Sequence, residues 1–318
     1  TALKSFDINK NKAFYEIFHL CNKKNRVNIN DLGYLVGPII NAGGRLGKSS
    51  YASELLSSND TKVIYKKSNE LIKLNNKRKE IEAITLSEID FKKIEKENKD
   101  IIIYFNANIK EGLIGIIAAR LKDYFNKPAI VITASKKSLK GSARSIYNYN
   151  IGRVIKNSLD QKLINTGGGH SMAAGFSLEK SKLNDFKDFI INDFSKSKPV
   201  LKKLFSYDSE ISSIALNHTF LSEINKLEPF GVGNPNPVFL VRDLKVIKSY
   251  IHKGKHVSAI LKSRSGPSIN SISFNSINSR VGEHLLNYKK TFTVVGQINE
   301  NFWNNKKTIQ LTIQDLII

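Results

Sequence analysis

The segment Lys140-Gly-Ser-Ala-Arg-Ser145 carries the residue types that a phosphate group needs. Side chains alternate along an extended chain, so Ser142 and Arg144 fall on one face. A hydroxyl beside a guanidinium offers a phosphate directed donors and a planar fork. The hexapeptide alone fits equally a surface strand whose arginine sits in a salt bridge. Gly167-Gly-Gly-His170 gives a backbone free to take positive φ and to approach a ligand closely. Its imidazole can hydrogen-bond a phosphate or a leaving oxygen, although a glycine run before one histidine is usually only a tight loop. Asn41-Ala-Gly-Gly-Arg45 repeats the theme, with Arg45 beside two glycines. Lys255, His256, the pair Phe302-Trp303 and Lys306-Lys307 would supply charge and stacking surface, or else an aromatic plug at a barrel end.

Several chemistries are excluded by pattern. There is no His-Glu-x-x-His, no Cys-x-x-Cys and no Gly-x-Ser-x-Gly, and Gly47-Lys48-Ser49 lacks the upstream glycine spacing of a phosphate-binding loop. The six histidines are scattered, and no Asp and His cluster is dense enough for two metals. The single cysteine, Cys21, rules out a disulfide framework. No stretch nears the roughly 20 apolar residues of a membrane span, and a cytoplasmic protein is expected. Fifty Lys and Arg against 28 Asp and Glu leave a formal charge of +22 over 318 residues. Such a field points to an anionic partner, although part of it is a lysine-rich habit spread over solvated faces.

The elements that must hold these groups follow from periodicity. Residues 1–58 read as helix-leaning, interrupted by the Gly-rich run Gly37 to Gly47. From Asn59 the chain has neither Gly nor Pro for some forty residues, with Ile64, Leu71, Leu74, Ile81 and Ile84 on one stripe. That predicts a long connecting helix with a polar back. Past Asp100 a strand (101–105), a helical face at Leu113, Ile117, Leu121 and Phe125, and a strand from Pro128 to Thr133 predict a parallel crossover unit. A helix at Ile151 to Leu159, a strand at Met172 to Leu178 and a helix at Leu183 to Phe194 follow. Beyond Lys198-Pro199 the chain turns to β: Val238–Leu240, Leu244–Ile251, His256–Lys262, Ser268–Phe274, Thr291–Glu300 and Thr308–Ile317. Short strands at this density predict a small barrel, of OB type given the charge.

Five segments occur in order: Gly37-Pro-Ile-Ile-Asn-Ala-Gly-Gly-Arg-Leu-Gly47, Glu111-Gly-Leu-Ile-Gly-Ile-Ile-Ala-Ala-Arg120, Gly141-Ser-Ala-Arg-Ser145, Gly168-Gly-His-Ser-Met-Ala-Ala-Gly-Phe176 and Leu227-Glu-Pro-Phe-Gly-Val-Gly-Asn-Pro-Asn-Pro237. In these the chain resembles the RecJ-type single-stranded-DNA exonucleases of the DHH phosphoesterase superfamily, over nearly its whole length. The resemblance implies the C-terminal end of a DHH catalytic lobe at 1–58 and a connecting helix at 59–99. It then implies a DHH-associated α/β domain with a mixed sheet at 100–197 and an all-β OB-fold at 198–318.

The function so implied is 5′-to-3′ hydrolysis of single-stranded DNA in repair and recombination, by water activated on manganese or magnesium. Arg45, Ser142, Arg144 and Ser145 would grip the 5′ phosphate. Asn41, Gly168, Gly169 and His170 would line the cleft, and Lys255, His256 and Trp303 would follow the strand. The family's metal-binding aspartates and its Asp-His-His run have no counterpart from Thr1 onward, so no complete catalytic set is expected here and the chain alone is expected to be inactive. His170 is the one catalytic candidate. Ile39 stands where relatives often carry a basic residue, and Ile109-Lys110 where a Trp-His pair is common. Single-stranded DNA is the implied partner, with no membrane; neither a single-strand-binding protein nor a helicase is specified. A non-catalytic single-strand-binding module and a phosphodiesterase of short oligonucleotides or cyclic dinucleotides are the alternatives, the latter generally without an OB-fold.

Overall fold

A long helix without Gly or Pro organises the first part of the chain. In the computed structural model, residues 7, 10–23, 27, 29–136, 138–197, 199, 205–231, 233–264, 266–277, 279–287, 290–303 and 306–318 are described, save the side chains of 302, 303 and 306. They fall into two compact units, Ala2–Lys203 and Leu204–Ile318.

In the first unit, α1 (Lys12–Leu20), α2 (Ile29–Asp31), α3 (Gly37–Arg45) and α4 (Ser50–Ser57) precede α5 (Thr61–Ser87). A π-helical stretch, Leu32–Val36, runs directly into α3. The Asp60 carboxylate caps α5 by accepting from the Lys62 N–H at 2.8 Å, which satisfies one of the first-turn donors. Ile17, Phe18, Ile39, Leu55, Ile64 and Leu71 form the core of this helical cluster. Two sequence expectations are corrected here. The Gly37 to Gly47 run interrupts the helices only at its end: Gly37–Arg45 is itself helical, and the break between α3 and α4 falls at residues 46–49, with Gly47 at φ +80°. Gly43 is what lets α3 close on its neighbours, since a Cβ there would lie 2.5 Å from the Lys48 carbonyl oxygen and 3.2 Å from a Leu71 methyl. Ile84 leaves the predicted stripe and is exposed.

The α/β part follows as α6 (Phe91–Glu97), β1 (Ile102–Phe105), α7 (Ile114–Phe125), β2 (Ala129–Ala134), β3 (Leu139–Arg144), α8 (Ile151–Asp160), β4 (Thr166–His170), β5 (Ala173–Leu178) and α9 (Leu183–Ser197). The sheet order is β1-β2-β3-β5-β4, parallel only between β1 and β2. Alternation along β2 divides two cores: Ile130 and Ile132 pack with Ile151, Val154, Phe186 and Ile190, while Ala129 and Val131 pack with Ile114, Ile117 and Leu121. Burying both faces explains why β2 reads as one apolar run. Gly167 to His170 is an edge strand and not a tight loop.

The second unit contains β6 (Ser209–Glu210), α10 (His218–Asn225), β7 (Phe239–His252), β8 (His256–Lys262), β9 (Ile269–Ser273), α11 (Arg280–Asn287), β10 (Phe292–Trp303) and β11 (Lys306–Ile317). The order β10-β11-β9-β8-β7, with β10 also paired to β7, closes a five-stranded barrel. Strands β9 and β11 run parallel, and α11 connects β9 to β10. This is the OB architecture. One continuous β7 replaces the two strands expected between Val238 and Ile251; Asp243, at φ +55°, absorbs the irregularity within it. The barrel interior is filled by Phe239, Val241, Leu244, Val257, Leu261, Val294 and Leu311, all buried.

Candidate phosphate-binding site

Strand β3 sorts its side chains by period two. Gly141 and Ala143 face the α8 and α9 side, where the Phe176 ring occupies the space a Cβ on Gly141 would need. Ser142 and Arg144 therefore face α7. Their cross-strand partners extend two rows over the sheet: Val131, Ser142, Gly175 and Gly168 in one, Ala129, Arg144, Ala173 and His170 in the other. Directly opposed antiparallel residues share a face, so Arg144 and His170 share theirs, two strands or about 10 Å apart. Ala173 stands between them; in the adjacent row, beyond Ser142, Gly175 and Gly168 leave the sheet bare, and a Cβ on Gly168 would meet open space.

The entrance of α7 closes over this strip. A Cβ on Gly115 would lie 2.9 Å from Arg144 Nη2 and 3.1 Å from Ser142 Oγ. One turn earlier, Gly112 abuts the Arg45 backbone, and Arg45 Nη1 donates to the Gly112 carbonyl at 3.1 Å. Arg144 Nη1 donates to Ser142 Oγ at 3.1 Å and to the Ala143 carbonyl at 2.8 Å.

Positive charge gathers at this corner. Among the described residues neither Arg45 nor Arg144 meets a carboxylate. Burial pushes both guanidinium pKa values down; Arg78 lowers that of Arg45 further against a partial offset from Glu82, and Arg45 lowers that of Arg144. Two half-buried like charges thus repel each other with only the partial offset of Glu82 on Arg45, an imbalance that an anion would relieve.

The other expected residues divide. Ser145 does not join the corner. It is 1% exposed, its hydroxyl donates to the Tyr149 carbonyl at 2.6 Å, and its N–H donates to the Met172 carbonyl at 2.9 Å. The alternation that unites Ser142 with Arg144 sends Ser145 to the opposite side. Ile39 is 2% exposed and packs in the helical core. Asn41 is exposed on α3. His170 is exposed at the end of β4, and its Nδ1 accepts the Met172 N–H at 3.3 Å, which leaves Nε2 free to face a ligand. Gly112, Gly115 and Gly175 are contributors that residue-by-residue reading missed. For Gly112 and Gly115 the signal was their spacing, three apart, where an apolar helix begins.

On the barrel, Lys253 and Gly254 take φ of +50° and +61°, and the Lys255 N–H donates to the His252 carbonyl at 3.0 Å. This tight hairpin turn exposes Lys255 at its tip. His256 is anchored: its Nδ1 accepts the Asn275 N–H at 2.9 Å, and its ring meets Phe274 edge-on at 5.4 Å. Exposed Phe274 and Tyr250, the latter under the Lys248 ammonium at 4.9 Å, add aromatic surface the sequence reading did not single out. The Trp303 side chain lies outside the described residues; its backbone pairs with Lys306 at the end of the β10–β11 hairpin. In OB-folds the loops joining the first to the second and the fourth to the fifth barrel strands border the oligonucleotide face, and here these are the turn at Lys255 and the hairpin of β10 and β11.

A DHHA1 domain matches residues 98–196 and a RecJ OB domain matches residues 207–315. The chain thus belongs to the RecJ-type proteins, an α/β DHHA1 domain followed by an OB-fold. The single-stranded-DNA-specific exonuclease RecJ of Bacillus subtilis (strain 168) is 30% identical over 301 residues, covering 90% of this chain and 37% of its own length. RecJ of Haemophilus influenzae is 29% identical over 296 residues, covering 89% of this chain and 51% of its own length. The chain therefore spans about a third to a half of these relatives. The crystal structure of RecJ in complex with Mn2+ from Thermus thermophilus superposes on 96% of the chain and 44% of its own, with a TM-score of 0.78 at 21% identity.

Proposed function

We propose that the chain is the substrate-gripping part of a single-stranded-DNA-specific 5′-to-3′ exonuclease that serves DNA repair and recombination. The observation that carries this is the pair Arg45 and Arg144, half-buried and without a carboxylate partner among the described residues, Arg144 bonded to Ser142 and Arg45 to the Gly112 carbonyl at the entrance of α7. A terminal 5′ phosphate carries up to two charges and three oxygens, matching two guanidiniums and a hydroxyl. Arg144 and Ser142 hold the phosphate on β3, and Arg45 closes on it from α3. The bare strip at Gly168 and Gly175 admits the sugar and the next phosphate without a side chain in the way. His170, at its far end, can donate from Nε2 to a phosphate oxygen.

The charge of +22 draws the strand in, and the OB domain supplies a second surface for it, with Lys255 at the loop tip and Phe274 and Tyr250 for stacking. Manganese or magnesium, which activates water in two-metal hydrolysis, is proposed for the whole enzyme because related RecJ structures hold Mn2+ or Mg2+. The residues of this site do not fit such an ion. Two guanidiniums repel a dication, and no group of three or more His, Cys, Asp or Glu able to hold a metal occurs among the described residues. What these residues do is bind and orient. Fluorescence anisotropy with oligodeoxythymidylates tests this: a 5′-phosphorylated strand should bind at least fivefold tighter than the 5′-hydroxyl strand, and both tighter than duplex. Equal affinity for the two ends would refute the pocket.

A further inference from the structure

One buried carboxylate stands among the arginines of the first unit. Glu82, on α5, is 7% exposed. Its Oε1 accepts from Arg120 Nε at 2.9 Å and lies 2.8 Å from Arg120 Nη2, while its Oε2 accepts from Arg78 Nη1 at 2.8 Å. Arg78 in turn donates from Nε to Asn75 Oδ1 at 3.1 Å, and Asn75 is buried as well. Arg120 lies on α7, the helix whose entrance at Gly112 and Gly115 touches Arg45, Arg144 and Ser142. Arg45 ends α3, and α3 is seated on α5 through the close approach of Gly43 to Leu71. Glu82 thus ties α5, on which the Arg45 helix α3 is seated, to α7, the helix that abuts Arg144.

We infer that Glu82 is a positioning residue for 5′-end selection, fixing the spacing of Arg45 from Arg144 by pinning α5 to α7 through Arg120 and by holding Arg78 away from the phosphate. The inference rests on the reading of Arg45 and Arg144 as a phosphate pocket. Charge supports it. Without Glu82, Arg78 and Arg120 lose the carboxylate they share, and Arg45 is left facing only like charge. Repulsion would then move the corner apart, because removing one partner of a buried ionic network leaves the others uncompensated.

The direction of the effect separates positioning from plain destabilisation. Glu82→Gln adds one positive charge to the region, so affinity for a 5′-hydroxyl strand holds or rises, while affinity for the 5′-phosphorylated strand falls. Loss of folded protein would lower both alike. The test uses the full chain in EDTA, with 5′-phosphorylated and 5′-hydroxyl oligodeoxythymidylate measured by anisotropy. The preference ratio should fall at least fivefold in Glu82→Gln and at least threefold in Arg120→Gln, whose side chain is half exposed. The double variant should be no worse than Glu82→Gln alone, since both act through one link. Ratios unchanged from the wild type in Glu82→Gln and in Arg120→Gln would overturn the inference while leaving the pocket standing. A wild type that shows no preference for the phosphorylated end would overturn the pocket and the inference with it.

Discussion

The guanidinium of Arg144 lies where a side chain on Gly115 would have to go, Nη2 being 2.9 Å from the Cβ position. Gly115 belongs to the first turn of α7, so the helix can approach β3 only because that position carries no side chain. The arginine that the helix end covers lies beside Ser142.

Gly115→Ala should therefore displace the guanidinium without unfolding the domain, since the obstructing atom ends a flexible side chain. Affinity for a 5′-phosphorylated strand should fall by roughly ten- to a hundredfold, the loss of about one charge-assisted hydrogen bond. Thermal unfolding should move little. Anisotropy and calorimetry on the same sample check both halves.

Arg144→Ala and Lys255→Ala should differ in kind. The first removes the preference for a phosphorylated end. The second, at an exposed hairpin tip of the barrel, weakens phosphorylated and hydroxyl strands alike and lowers the slope of log K against log salt by about 0.7, the contribution of one phosphate contact on a single strand. A salt titration of each variant on both oligonucleotides distinguishes them. Arg144→Lys should restore only part of the preference, because an ammonium lacks the planar fork.

Neighbouring glycines of β4 should separate stability from binding. A Cβ on Gly169 would run into the Ala173 carbonyl oxygen and the Ala174 Cα, and main chain cannot step aside as a long side chain can. Gly169→Ala should cost about 1–3 kcal/mol, read as a lower Tm. A Cβ on Gly168 meets nothing, so Gly168→Ala should leave Tm within the effect of about 0.5 kcal/mol expected of a surface change. It should still weaken strand binding by filling the bare strip.

Tyr149 links the site's backing to pH. Burial, then the nearby Asp193 carboxylate, pushes its phenol pKa well up, and its hydroxyl lies 3.2 Å from Asp193 Oδ1. A folded pKa raised above the unfolded value of about 10 means the folded chain binds the proton more tightly. Stability from this residue is full below about pH 10 and is lost as pH rises beyond it. Tyr149→Phe should flatten the alkaline fall of Tm, while removing the hydrogen bond lowers Tm at neutral pH.

The parts legible in the sequence were those set by local period. The long helix, the parallel β1–β2 crossover and the barrel strands follow from apolar spacing, and the fellowship of Ser142 with Arg144 follows from period two. What was not legible depends on distant neighbours. Gly37 to Gly47 looked like a break because Gly lowers helix propensity, but Gly43 is needed by Leu71 and Lys48, and packing outweighs propensity. Gly167 to Gly169 looked like a turn, although Gly167 makes room for Ile155 and Ile164 and Gly169 for Ala174, all contributed by other elements. Ser145 was a local error: the alternation that gathered Ser142 and Arg144 already sent it to the other face. The meeting of Arg45 with Arg144 could not be read from spacing, since the two arginines lie on separate elements that α5 and α7 bring together.

The most direct measurement is a crystal structure of the chain with a short 5′-phosphorylated oligodeoxythymidylate. The terminal phosphate should lie within hydrogen-bond reach of Arg144, Ser142 and Arg45, with the first sugar over Gly175 and Gly168. A strand bound with its 5′ phosphate away from Arg144, or entering the strip by its 3′ end, would contradict the account.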